Sequence, residues 1–87
     1  MKMKNYVAQK AQQALEELCS NASRKERLHA AADHLSLIAS KHFLSSCSPL
    51  TKKDLKAVLE IQPDSDLDQI ALVVSAAIES IFEESDR

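Results

Sequence analysis

Glycine is absent from the chain's 87 residues. Only glycine enters the left-handed backbone region without a steric penalty, so its absence argues against tight two-residue hairpins and backbone cradles for phosphate. The glycine-rich phosphate loop and the strained nucleophile elbow are excluded with them. Aromatic side chains are scarce: Tyr6, Phe43 and Phe82 are the whole set, with no tryptophan. That is too few to stack a run of single-stranded bases. Two cysteines, Cys19 and Cys47, do not make a disulfide framework and are expected to be reduced thiols serving as small apolar side chains. No apolar run approaches the roughly 20 residues of a membrane span. The opening MKMKNYVAQKAQ is basic but lacks the apolar centre of a secretory signal. The expectation is a cytoplasmic protein without a membrane partner.

What is present points to helices. Apolar residues make up 45% and charged residues 28%, a balance that favours a folded core over disorder. Alanine, leucine, glutamate, lysine and glutamine supply strong helix formers. The chain reads as one all-α domain over residues 1–87, a compact four-helix bundle or an orthogonal helical array. Helix 1 is expected over about 3–19, where Val7, Ala11, Ala14 and Leu18 share a face. Asn21 then offers the best left-handed helix stop in a chain without glycine. Ser23 and Glu26 form a capping box that starts helix 2, expected over about 24–45. One broad stripe on that helix holds Leu28, Ala32, Leu35, Ala39 and Phe43, with Ala31 and Ile38, and Ala30, Leu37 and Leu44 lie opposite.

Helix 3 is expected over about 52–62, with Thr51 as N-cap, Asp54 reaching back, and a staple between Leu50 and Leu55. Pro63 should end it by holding Gln62 extended. Helix 4 is expected over about 65–83, beginning at Asp64 or Ser65, and EESDR after it reads as a solvated tail. Its segment IALVVSAAIESIF carries a wide stripe from Ile70 to Phe82 and a second apolar side of Leu72, Val73 and Ala76. A helix apolar on two sides is normally central, so helices 2 and 4 are both expected to be so. The second side of helix 4 is a candidate association surface, for a second copy of the chain or for another protein.

Charge is unevenly spread. Residues 1–56 hold ten basic and five acidic side chains, a balance of +5; residues 57–87 hold one and eight, a balance of −7. Intramolecular complementarity is the favoured meaning, and a two-faced binding surface the other. Arg24 and Lys25 open helix 2, while Lys52 and Lys53 open helix 3 with Lys56 one turn on. Cations at these positive helix ends mark a candidate electrostatic contact for an acidic partner or a phosphate backbone.

Catalytic chemistry has little support. His29, His34 and His42 all fall on helix 2, and Glu26, His29 and Asp33 share a face as half of a di-iron motif whose other half the chain lacks. Zinc through Cys19, Cys47 and a histidine is no better founded. No catalytic residue, cofactor, metal or small-molecule substrate is expected. The segment TKKDLKAVLEIQPDSDLDQI resembles a helix-turn-helix in outline, which implies a DNA-associated regulator. Its turn is longer than usual and its second helix opens with Asp64, Asp66 and Asp68, which phosphates would repel. Nucleic acid is therefore admissible but not favoured. The leading expectation is a small non-enzymatic adaptor, inhibitor or chaperone-like regulator that binds protein through Leu72, Val73 and Ala76 and through the basic residues.

Overall fold

A computed structural model describes residues 3–39 and 47–85. Among them are four α-helices and no strand: α1 (Met3–Leu18), α2 (Arg24–Ala39), α3 (Pro49–Leu59) and α4 (Leu67–Ser85). The expected continuation of helix 2 to Ser45, with His42, Phe43 and Leu44, lies outside the described residues, as do the last two residues of the tail.

The starts of α2, α3 and α4 are each set by a short polar side chain. In α2 the expected capping box is complete: Glu26 N–H donates to Ser23 Oγ at 3.2 Å, and Ser23 N–H donates to Glu26 Oε1 at 3.3 Å. The start of α3 corrects the expectation. Its N-cap is Ser48, not Thr51, with Pro49 in the first turn. Proline fixes its own φ near a helical value and pushes the residue before it into extended backbone. Ser48 is extended accordingly, at φ −65° and ψ 161°, and its Oγ accepts from Thr51 N–H at 3.3 Å. Thr51 thus moves inside the helix and is buried, while Leu50 is left 60% exposed and forms no staple over the cap. In α4 the cap is Asp66, whose Oδ2 accepts from Gln69 N–H at 3.2 Å, so the helix begins two residues later than expected.

The helix ends also depart from one expectation. No described residue has positive φ, so Asn21 does not supply a left-handed stop. Instead α1 tightens into i→i+3 bonds, Cys19 N–H to Glu16 O and Ser20 N–H to Glu17 O, both 3.1 Å. α3 ends the same way, with Glu60 N–H donating to Ala57 O at 3.1 Å. A turn follows over Gln62–Ser65, tied by Ser65 N–H to Gln62 O at 3.0 Å and Gln62 N–H to Ser65 Oγ at 2.8 Å. Pro63 occupies the position in that turn that favours proline.

α2 and α4 are the central pair, as their two-sided patterns predict. Each touches all three other helices, whereas α1 and α3 do not touch each other among the described residues. α1 contributes Val7, Ala11 and Ala14 to the core and α3 contributes Leu55 and Val58. The broad stripes of α2 and α4, centred on Leu35, Ile38, Ile70, Val74 and Ile81, are fully buried between them. Alanines at Ala11, Ala14, Ala31 and Ala77 have no exposed surface and let the helix axes approach closely. The radius of gyration, 12.0 Å, equals the roughly 12 Å of a compact domain this long. The outer stripe of α2 stays at the surface, with Leu37 40% exposed.

Burial predicts a contrast in stability. Leu35 has no exposed surface and Leu72 is 68% exposed. Leu35→Ala is expected to lower the unfolding free energy by about 2–5 kcal/mol, and Leu72→Ala, in a solution dilute enough to hold single chains, by no more than about 0.5 kcal/mol. Urea titration followed by circular dichroism checks both.

Candidate functional site

The residues expected to form a second apolar side on α4 take three different positions. Leu72 projects into solvent at 68% exposure, the largest value among the described large apolar side chains. Val73 is half-buried and packs against the core. Ala76 is also half-buried. The reason is the position of α3, which lies along the flank of α4 carrying Val73 and Ser80. Between the two helices is a dent of about 200 Å³, floored by Ala57, Ile61, Ile70 and Val73 and edged by Glu60 and Gln69. The expected continuous stripe is therefore a protruding leucine beside a shallow apolar hollow, surrounded by exposed Asp68, Gln69, Ser75 and Glu79.

The basic residues divide between two places. Arg24 Nη2 donates to Asp68 Oδ1 at 2.8 Å across the starts of α2 and α4. This pair realises the favoured complementarity between the basic and acidic parts of the chain, although its side chains are 50% and 80% exposed and it contributes only about 0–1 kcal/mol. Lys25 stands at the edge of a groove of about 420 Å³ between α2 and the end of α3, with Ala32, Val58, Leu59 and Ile61 along its bottom. That groove runs along α2 from Lys25 to Ser36 and is closed by the last turn of α3 and the residues after it. Because α3 starts at Pro49, Lys52 and Lys53 lie one turn inside it rather than at its opening, about 10 Å along the helix from its last turn. Lys53 and Lys56 are exposed and Lys52 is half-buried. The fold does not gather the five cations into one patch.

The polar face of α2 is divided in the same manner. Glu26 is engaged in the capping box. His34 Nε2 meets Glu17 Oε2 of α1 at 3.1 Å. His29 lines the α2–α3 groove with its Nε2 buried and without a hydrogen-bond partner. No group of three or more potential metal ligands exists among the described residues, and no helix there is long and apolar enough to cross a membrane.

Sequence reasoning missed the polar contacts that align α3 with α4. Glu84, assigned to a solvated tail, is half-buried in α4. Its Oε1 accepts from Ser48 N–H at 3.0 Å and from Thr51 Oγ1 at 2.8 Å. Four backbone N–H groups at a helix start lack intrahelical partners, and a carboxylate is favoured there by the helix dipole. One turn back, Ser80 Oγ donates to Asp54 Oδ2 at 2.5 Å, a different partner from the expected cap. These bonds place Thr51 level with Glu84 and Asp54 level with Ser80, so α3 and α4 are antiparallel in a fixed register. The available signal was Ser-Pro at residues 48–49, which marks a helix start three residues earlier and turns Thr51 inward.

Cys47, just before the α3 cap, is buried and Cys19 is exposed. Burial raises the Cys47 thiol pKa from its ordinary 9.0, with Glu84 adding to the rise and Lys52 opposing it.

Removing the α4 carboxylate should uncap α3. Glu84→Ala is expected to cost about 1–3 kcal/mol because it strands the Ser48 N–H and the Thr51 hydroxyl, whereas Glu16→Ala, at an exposed position on α1, should change little; urea titration distinguishes them. The thiols give a pH test. A pKa raised on folding stabilises the fold fully below the unfolded value and ceases to do so as pH rises through the folded one. The stability difference between wild type and Cys47→Ala should therefore narrow as pH rises past 9.0. A thiol-reactive chromophore should label Cys19 at once and Cys47 only slowly under native conditions.

No protein-family model, no curated protein and no solved structure matches this chain.

Proposed function

We propose that this chain is a small non-enzymatic protein that works by binding protein, in the manner of an adaptor, an inhibitor or a chaperone-like regulator, through the outer surface of α3 and α4. The observation that carries the reading is Leu72, an isolated large apolar side chain 68% exposed beside an apolar dent that includes Val73. Supporting it, three of the five exposed large apolar side chains among the described residues, Leu50, Leu59 and Leu72, lie on these two helices. Protruding apolar anchors next to hollows are the parts of a surface that contribute most when desolvated.

The DNA-associated alternative draws no support from the arrangement of charge. Arg24 and Lys25 lie far from Lys52, Lys53 and Lys56, and Asp66 and Asp68 crowd the start of α4, where a recognition helix would meet phosphate.

A photo-crosslinking amino acid placed at position 72 tests the reading in extract from the native host, with position 12, exposed on α1, as the control. Protein adducts are expected at 72 and not at 12, and excess wild-type chain should compete them away while excess Leu72→Asp should not. Equal labelling at both positions, or competition by both chains, would overturn it.

A further inference from the structure

We infer that the partner of the α3–α4 surface is a second copy of this chain, related by a two-fold axis that runs along the α3–α4 hairpin. This rests on the protein-binding reading and names its partner. Exposed charges on that surface, Glu60 at the edge of the dent included, have no ion-pair partner among the described residues of one copy. Among the described residues, Lys53 and Lys56 on α3 and Glu79 and Glu83 on α4 make no hydrogen bond or ion pair. They are also level with one another. Because Thr51 is level with Glu84 and Asp54 with Ser80, Lys53 falls beside Ile81 and Lys56 beside Ile78. At 1.5 Å of rise per residue, each lysine is within about 3 Å, along the axis, of Glu79 or Glu83. Inside one copy these side chains point outward from neighbouring helices and stay apart.

A two-fold axis parallel to the hairpin sets α3 of one copy over α4 of the other and keeps every residue at its own height. Lys53 and Lys56 then face Glu79 and Glu83 of the second copy, and the same contacts recur across the axis, as closed two-fold symmetry requires. The apolar parts match under the same operation. Leu72 lies at the level of the α3–α4 turn, where the second copy presents its dent of about 200 Å³ floored by Ala57, Ile61 and Val73. At the opposite end Leu50, 60% exposed, forms part of the wall of a second hollow between these helices, about 340 Å³ and shared with Pro49, Ser80 and Glu83, and across the axis it meets the same wall of the second copy. The face thus has an exposed leucine at each end and opposite charges between them.

The full chain in sedimentation equilibrium tests this. Wild type is expected to dimerise in the micromolar range and to dissociate progressively as salt screens the charges. Leu72→Asp should weaken association at least about tenfold. The deciding experiment is a charge exchange. The double variant Lys53→Glu/Lys56→Glu and the double variant Glu79→Lys/Glu83→Lys should each be monomeric where wild type is dimeric. Mixed in equal amounts they should pair, because both sets of contacts become attractive again. Circular dichroism verifies that each retains helix; if one does not, Lys56→Gln and Glu79→Gln take their places, each expected to raise the dissociation constant about threefold to tenfold. A wild-type chain that stays monomeric to several hundred micromolar at low salt overturns the inference. So does a dimer that the exchanges leave intact, or exchanged variants that do not pair on mixing. A monomer that still crosslinks from position 72 to another protein loses the second copy and keeps the protein-binding reading; a monomer without such adducts loses both.

Discussion

The contact between Glu84 and the first turn of α3 fixes how the two halves of the molecule's outer surface relate. Ser48 N–H and the Thr51 hydroxyl both point at one carboxylate oxygen, so the end of α4 and the start of α3 cannot slide past each other without leaving polar groups unsatisfied. Packing alone would not impose this. The facing positions of α3 are mostly Leu55, Val58 and Ala57, and aliphatic contacts tolerate a shift of a fraction of a turn. The directional bonds of Glu84, and of Ser80 to Asp54 one turn back, choose one register. Every feature of the α3–α4 surface inherits it, including the height of Leu72 against its hollow and of the lysines against the glutamates.

Much of the architecture was legible because it depends on periodicity. Val7, Ala11 and Ala14 in α1 and Leu28, Leu35 and Ile38 in α2 announce their buried faces by spacing, and each is buried. The two-sided patterns of α2 and α4 also identified the central pair, although the outer stripe of α2 at Leu37 turned out to face solvent. The capping box at Ser23 and Glu26 was readable since both partners lie within one turn. The α3 cap was misassigned because two local signals competed. Thr51 with Asp54 has the pattern of a capping box, but Pro49 acts earlier and through steric restriction of the backbone, so Ser48 prevails.

The surface was less legible, for a physical reason. Whether a side chain is exposed depends on which flank a neighbour covers, and spacing on one helix does not contain that information. Val73 and Leu72 are adjacent in sequence and equally apolar, yet α3 covers one and leaves the other projecting. Likewise Lys25 and Lys52 were both expected to open helices, but Lys25 borders the end of α3 while Lys52 lies near its start. The role of Glu84 was hidden by sequence separation: its partners lie 36 and 33 residues away.

The backbone without glycine and without a single positive φ among its described residues has a further consequence for a domain of this size. Small domains bury a modest share of their surface, so little favourable energy is available to offset the disorder lost on folding. Glycine has the most backbone freedom to lose, and a chain without it begins from an unfolded ensemble with fewer accessible states. Pro49 and Pro63 narrow that ensemble further, each at a position whose folded geometry it already prefers. Part of this protein's stability therefore resides in the restricted conformations of its denatured chain, where no inventory of native contacts would find it.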